Sequence, residues 1–381
     1  MKQIKTIIAG ICRTLLGAVF VFSGAVKAID PMGTVYKIED YLKAFGGFFT
    51  DLLPLAELAA VLLILLEVLL GVCMLLNVRT QWTSWIALAF YAVMTPLTLY
   101  IAINNPVSDC GCFGDAIVLT NWQTFGKNVV LIILAIILVV LRKHLYPLWR
   151  GWMEMVIALI TAIGAFAFME YTYLHLPVMD FRPYKIGNHL PTLMEYPEDA
   201  QPDVYEYSFV YEKDGVEQTF TLENYPKGDS TWTFVRQNSK LIKKGYEPPI
   251  HDFEIINAEG EDLTWDILES EEAVTLVLMY DLQKADKKQL AKVEALASNL
   301  SPFVSSPDTL SFQEESDGGL YILTGSGTDE MITFALEYPT LGEYICTCDP
   351  VTLKTIVRAN PGVIVVQNGI VIDKYNLRNR P

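Results

Sequence analysis

Five stretches of the chain stay apolar for long enough to cross a bilayer, at 7–26, 52–76, 82–103, 125–141 and 152–173. A hydrocarbon core about 30 Å thick asks for roughly 20 helical residues, and each stretch is near that length. Trp82, Trp85, Trp122, Trp149 and Trp152 fall near the ends, where an amphipathic ring meets both hydrocarbon and water. The pattern predicts five membrane-spanning helices. Past residue 177 the pattern changes. The segment 177–250 is rich in Tyr, Pro and acidic residues, and 205–211 and 217–222 read as two strands around Lys213-Asp214-Gly215. From 252 onward short apolar runs alternate with helical spacing, predicting an α/β unit. Strands are expected at 253–256, 273–280, 319–323, 344–348, 363–367 and 370–375, and helices at 286–300, 328–338 and 352–358. Leu290, Val293, Leu296 and Ala297 share one face of the first of these helices, and Thr328 or Ser326 is the expected cap of the second. Asn368-Gly369 between the last two apolar runs signals a hairpin. The expected divisions are therefore 1–145, a fifth membrane helix in 146–176, a mainly β connector over 177–250, and an α/β domain over 251–381.

Charge gives the helices a direction. Lys2 and Lys5 precede the first helix, Arg79 lies between the second and third, and Arg142, Lys143 and Arg150 lie between the fourth and fifth. Positively charged turns stay in the cytoplasm, so the N-terminus is expected inside. With five crossings the C-terminal half then lies outside, on the same side as the loops 27–51 and 104–124. Ten of the 44 acidic and 11 of the 28 basic residues precede residue 177, so the net charge of −16 sits almost wholly in the C-terminal half. An acidic surface excludes nucleic acid as a partner, since that needs a basic footprint. Arg13 inside the first apolar core, and Lys27 in the small-residue stretch at its end, predict an uncleaved anchor in place of a signal peptide.

Charges inside the helices need partners, because an isolated charge in hydrocarbon costs several kcal/mol. Arg13, Glu57 and Glu67 form a candidate bundle site, with Arg13 expected to meet Glu57 or Glu67. Pro96 is expected to kink the third helix and free a carbonyl, with Thr95 and Thr98 lining the gap.

Four of the six cysteines form two Cys-x-Cys pairs; Cys12 and Cys73 read as small buried hydrophobes. In Ser108-Asp109-Cys110-Gly111-Cys112-Phe113-Gly114-Asp115, Gly111 and Gly114 supply the backbone freedom a tight dithiol turn needs. Three readings stand open: a working redox pair, an inert disulfide, or buried thiols. Zinc ligation with Asp109 or Asp115 lacks a fixed ligand count, and no metal is expected. Lys127 and Arg13 are the candidate cations for lowering a thiol pKa, while Asp109 and Asp115 oppose them. Cys346 and Cys348 lie at the C-terminal end of an expected strand, two residues apart and so on one face. They are either a relocated redox pair or core cysteines. His189 and His251 stand alone and read as structural or surface residues.

Residues 5–145 resemble the DoxX-like, MauE-like membrane family. The segments that carry the resemblance are Cys12-Arg13-Thr14-Leu15-Leu16-Gly17, Phe22-Ser23-Gly24-Ala25-Val26-Lys27 with Asp30-Pro31, and Glu67-Val68-Leu69-Leu70-Gly71. The most specific is Asp109-Cys110-Gly111-Cys112-Phe113-Gly114-Asp115, followed by Asn121-Trp122 and Lys127-Asn128. The resemblance implies a four-helix core, an association with maturation of disulfide-rich periplasmic proteins, and similarity to quinone-linked disulfide-forming membrane enzymes. The Cys-x-Cys spacing departs from the Cys-x-x-Cys of those enzymes. Residues 250–378 resemble a thioredoxin-like domain, through Cys348-Asp349-Pro350 and the helix after it, then Ala359-Asn360-Pro361-Gly362 before a strand and an Asn-Gly hairpin. That resemblance implies a cis bond at Asn360–Pro361. It also places the family's dithiol after the strand ending at Tyr280, where Asp281-Leu282-Gln283-Lys284-Ala285-Asp286 has no cysteine.

The expected architecture is thus an α-helical transmembrane bundle, a four-helix core plus a fifth helix, followed by an α/β thioredoxin-like soluble domain. The expected function is a bacterial inner-membrane redox-associated protein that supports thiol–disulfide exchange or maturation of periplasmic proteins. The candidate catalytic residues are Cys110, Cys112, Cys346 and Cys348. No cofactor is certain, and a quinone is the candidate acceptor. The partners are the lipid bilayer and, as a candidate, a periplasmic protein client. Two alternatives belong to other classes: a non-enzymatic assembly protein whose degenerate thioredoxin-like domain binds a partner, favoured by the cysteine-free 281–286, and a small-molecule transporter, resting on Arg13, Glu57 and Glu67.

Overall fold

The computed structural model describes residues 2–379 except 108, 147, 150, 198, 203, 214, 230, 244 and 300–318. Ser108, Arg150, Asp214 and residue 300, named above, lie outside the described residues. The membrane half contains α1 (Lys2–Ile29), α2 (Pro31–Phe45), a 3-10 segment Gly47–Leu55, α3 (Ala56–Leu75), α4 (Thr80–Asn104), α5 (Asn121–Leu141) and α6 (Gly151–His175). Among the described residues five helical segments are long and apolar enough to cross a membrane: α1, Gly47–Leu75, α4, Asn121–His144 and α6.

Helix α1 packs along α3, α4 along α5, and α1 against α5; α6 leans on α3 from outside this core. The α1–α3 seam is set by small residues. A Cβ on Gly71 would stand 2.5 Å from the Val21 amide nitrogen, and one on Gly24 would stand 2.9 Å from the Val68 nitrogen. Close backbone approach is how helices associate where lipid offers no hydrophobic drive. Leu16, Phe20, Met74, Ala135 and Leu138 fill the core that the four helices enclose.

Helix α2 is not expected from the apolar pattern, which treats 27–51 as a loop. The start signal is nevertheless there: Asp30 accepts from the Gly33 amide as N-cap, and Pro31 occupies the first helical position. Met32, Val35, Ile38 and Leu42 give it a narrow apolar stripe, which packs on Ala56 and Ala60. In α4 the helix continues through Pro96. The Thr98 hydroxyl donates to the Met94 and Thr95 carbonyls, whereas the Thr95 hydroxyl is buried without a partner.

After α6 come α7 (Leu190–Met194), β1 (Val204–Lys213), β2 (Val216–Thr221) and β3 (Thr233–Lys243), the last three forming an antiparallel sheet in the order β2-β1-β3. Strand β3 lacks clean alternation and is held by its pairing with β1. The rest of the chain contributes α8 (Thr264–Leu268), β4 (Val274–Met279), α9 (Lys287–Asn299), β5 (Leu320–Thr324), α10 (Thr328–Glu337), α11 (Pro339–Gly342), β6 (Ile345–Thr347), α12 (Pro350–Ile356), β7 (Gly362–Gln367) and β8 (Ile370–Asn376). A mixed five-stranded sheet runs β6-β5-β4-β7-β8, with β4, β5 and β6 parallel and β7 and β8 antiparallel to their neighbours. Every residue of β4 is buried, because apolar clusters cover both faces of the sheet. Such a strand reads as a continuous apolar run.

The expected strand at 253–256 is absent; Ile256 makes only single bridges, to Asp262 and Thr347. The cap of α10 is Gly327 with no side-chain bond, and Ser326 instead accepts from the Leu282 amide. The hairpin falls at Asn368 and Gly369, both at positive φ, and Asn360–Pro361 is cis.

The α1–α3 seam carries a prediction. Gly71→Ala should destabilise the bundle by about 1–3 kcal/mol, the usual cost of overpacking. Thermal unfolding in detergent checks it, with Gly10→Ala, where the added methyl meets nothing within 4 Å, as the neutral control.

Candidate dithiol site

The site is built from the bundle upward. Lys27 is 6% exposed and Glu67 3% exposed. Lys27 Nζ donates to Glu67 Oε1 at 2.7 Å, to Oε2 at 2.8 Å and to Ser23 Oγ at 2.8 Å. An ammonium has three protons, and all three are used. Ser23 Oγ in turn donates to the Cys112 carbonyl at 2.7 Å, so the buried ion pair holds the cysteine loop from below.

The loop is fixed at both ends. Asn121 Nδ2 donates to Asn105 Oδ1 and to the Val107 carbonyl, tying the start of α5 to the end of α4. Thr120 and Gln123 form a reciprocal capping box at the same point. Within the loop Gly111 and Gly114 have φ of +62° and +52°, a conformation that favours glycine, and the Gly114 amide donates to the Gly111 carbonyl. The Gly111 amide donates to Asp109 Oδ1, whose other oxygen pairs with Lys37 at 2.7 Å. The Cys110 and Cys112 sulfurs lie 2.8 Å apart.

Their surroundings divide the two thiols. The hydrogen bond between the sulfurs, with burial, pushes Cys110 far up, so it keeps its proton. The same bond pulls Cys112 down; Lys127 and Lys27 add to this, against burial and Glu67. Lys127 Nζ sits 4.3 Å from the centre of the Phe113 ring. Burial and the neighbouring Cys110 push the Tyr41 phenol up, leaving it a donor at neutral pH. The carboxylates expected to oppose a thiolate are both engaged, Asp109 with Lys37 and Asp115 with Arg358.

Beneath the sulfurs lies a cavity of about 210 Å³. Phe20, Leu63, Phe90, Tyr91, Met94 and Leu97 make its walls; Lys27, Glu67, Tyr41 and Asn128 are its polar points, with Cys110 and Cys112 at one side. The residues fit a flat, mainly apolar, lipid-borne molecule with a carbonyl acceptor.

The other candidates fall elsewhere. Arg13 donates to the Met74 and Leu75 carbonyls at the end of α3, and Glu57 is exposed in its first turn. Arg13, Glu57 and Glu67 therefore do not meet; Lys27, which the sequence presents only as part of a small-residue stretch, takes the place expected of Arg13. Its offset of four from Ser23 is the signal that could have found it. Cys346 and Cys348 are free and lie in one apolar core with Leu323 and Leu353. Burial pushes both thiols up to about 12. Among the described residues no group of three or more His, Cys, Asp or Glu converges as a metal site.

Two outcomes are expected. Lys27→Met leaves Glu67 buried and unpaired, and should cost about 3–5 kcal/mol; Lys27→Met with Glu67→Leu should recover most of that in the same unfolding assay. Iodoacetamide labelling of Cys112 in the reduced protein should reach its plateau at a lower pH than an ordinary cysteine does. An ordinary cysteine, with a pKa of about 8.5, would keep gaining rate beyond that point.

Over residues 5–141 the chain matches the family described as Methylamine utilisation protein MauE, a stretch that takes in α1–α5 and the dithiol loop and stops before α6. Residues 205–244, which hold β1–β3, match a Domain of unknown function (DUF8463). No curated protein and no solved structure matches the chain. The N-terminal region resembles the MauE family, and five helices long and apolar enough to cross a membrane precede a mixed α/β region.

Proposed function

We propose that this chain is a bacterial inner-membrane protein that supports thiol–disulfide exchange through Cys110 and Cys112. In this proposal the N-terminus is cytoplasmic and the dithiol loop and C-terminal domain face the periplasm. The observation that carries it is the pair of adjacent sulfurs in unequal environments, one protonated and one drawn toward thiolate, over a cavity in the bundle. Thiolate is the attacking species in exchange, and a lowered pKa favours it. Orientation rests on the basic turns, and disulfides persist on the side it assigns to the loop.

The exchange balances as follows. The Cys112 thiolate attacks a client disulfide, forming a mixed disulfide and releasing one client thiolate. Cys110 then loses its proton and attacks Cys112 sulfur, closing the Cys110–Cys112 bond and releasing the second. Two electrons pass to the client; run in reverse, the steps oxidise a client dithiol. In the reverse direction the pair ends as two thiols, and a quinone held in the cavity would supply the two-electron, two-proton acceptor that returns it to the disulfide. Tyr41 and Asn128 would present donors to its carbonyl oxygens, and the aromatic walls would exclude water.

The C-terminal domain is proposed to be thioredoxin-like without its dithiol. The sheet order, the cis Asn360–Pro361 and the hairpin support this. Asp281–Asp286, where the dithiol would lie, is a capped turn: Asp281 accepts from the Gln283 and Lys284 amides, and Asn360 Nδ2 donates to the Asp281 carbonyl. The same turn favours the second reading, a partner-binding domain that takes no part in exchange. Cys346 and Cys348 would then be core residues, as their raised pKa and burial suit.

The order of attack is testable with glutathione disulfide. In full-length protein, Cys110→Ser should accumulate a glutathione adduct on Cys112, because nothing resolves it. Cys112→Ser should react slowly and accumulate little. Equal adducts on both variants, read by mass spectrometry, would remove the assigned roles.

A further inference from the structure

The C-terminal domain does not stand free of the membrane half. Arg358, two residues past α12 and three before the cis proline, reaches across to it. Its Nε donates to Asp30 Oδ2 at 2.9 Å and its Nη2 to Asp115 Oδ2 at 3.2 Å. Asp30 is the N-cap of α2, and Asp115 closes the dithiol loop. Arg358 Nη1 donates to the Lys354 carbonyl, and the guanidinium lies 5.2 Å from the Tyr36 ring centre. Beside it Tyr36 meets Tyr280 edge-on at 6.3 Å, and Lys354 Nζ sits 5.0 Å and 5.3 Å from those two rings. The charges of Glu39, Asp40 and Lys43 on α2, and of Lys284 in the turn after β4, also act on Lys354.

A second set of contacts ties the domain to the end of α6. Asn376 and Asn379 donate to the Leu174 carbonyl, Lys374 pairs with Asp180 at 2.6 Å, and Arg182 donates to the Thr355 carbonyl. These residues adjoin the covalent connection, and Asn376 lines one cavity with Tyr280 and Arg358. The space left over Cys110 and Gly111, between the loop and the segment Pro177, Met179, Phe181 and Arg182, is about 70 Å³. That is room for small molecules and for no folded polypeptide.

From this arrangement we infer that the C-terminal domain is a cap on the membrane dithiol, latched by Arg358 to Asp30 and Asp115, and that a protein client reaches Cys110 and Cys112 only when the latch opens. The contacts at the latch are ion pairs, cation–ring contacts and one edge-on aromatic pair. An interface of that kind, unlike a large apolar one, permits domains to move apart. Water can replace each partner as the latch parts, whereas the buried Lys27–Glu67 pair below stays intact. The face that carries Tyr280, Arg358 and the cis proline is thus used within the chain.

The cap rests on the dithiol being the working group, but its test reads only access. Full-length protein in nanodiscs is reduced and freed of reductant. Cys112 is then labelled with N-ethylmaleimide or with the bulkier fluorescein maleimide, and peptide mass spectrometry gives the rates. Arg358→Met should raise the bulky-reagent rate about tenfold and leave the small-reagent rate within about twofold, the population shift expected when a closed state loses its latch. Tyr36→Cys with Tyr280→Cys, joined by a short bismaleimide, should hold the cap shut and suppress bulky labelling while small labelling persists. Asp115→Asn, which keeps Asp30 as partner, serves if Arg358→Met fails to fold, and should raise the bulky rate by a smaller factor. The cap is overturned if bulky labelling is as slow in these opened variants as in the wild type, or if the bridged variant labels as fast as the opened ones. Should Cys110 and Cys112 prove unable to cycle, the exchange function fails while these differences in access persist.

Discussion

The Lys27–Glu67 pair is the interaction on which the rest of the site depends. Two charges buried in a helical bundle are costly singly and tolerable together, provided the remaining hydrogen-bonding capacity is filled. Ser23 fills it on the lysine side and passes the constraint upward to the Cys112 carbonyl. One ion pair thus joins α1 to α3, sets the floor of the cavity and fixes the height of the dithiol loop. The small residues along the α1–α3 seam make that pairing reachable by letting the two backbones approach. Lys27 also contributes to the low pKa of Cys112, so packing and reactivity share a residue.

Above the loop the same logic recurs with different consequences. Asp109 and Asp115 flank the cysteines and would by charge alone disfavour a thiolate. Lys37 from α2 neutralises the first and Arg358 from the C-terminal domain neutralises the second. Helix α2 therefore serves the loop from the membrane half, and the mixed sheet serves it from above through α12. The acidic domain needs no cysteine of its own at Asp281–Asp286 to matter to the dithiol.

The five apolar helices were legible because length and composition decide them, and β4 because a strand covered on both faces is apolar throughout. The dithiol loop was legible from Cys110, Gly111, Cys112 and Gly114. Helix α2 was missed because its apolar stripe is narrow, although Asp30-Pro31 announces its start. Lys27 was passed over because nothing local separates a lysine that snorkels from one that meets a glutamate forty residues on. Arg13 shows the other side of that ambiguity: it satisfies itself on the carbonyls at the end of α3. Arg358 sits among 28 basic residues with no local mark at all. Its role arises only when two parts of the chain, more than 200 residues apart, are brought together.

The central claim is that Cys110 and Cys112 form a reversible redox couple while Cys346 and Cys348 do not. The direct measurement is a redox titration of the full-length protein in glutathione buffers of graded potential, with acid quenching and mass-labelling of free thiols at each of the four cysteines. The account predicts that Cys110 and Cys112 lose and regain their labels together in one two-electron transition, and that Cys346 and Cys348 stay reduced throughout. It is contradicted if Cys110 and Cys112 hold one state across the whole range, or if Cys346 and Cys348 are the pair that titrates.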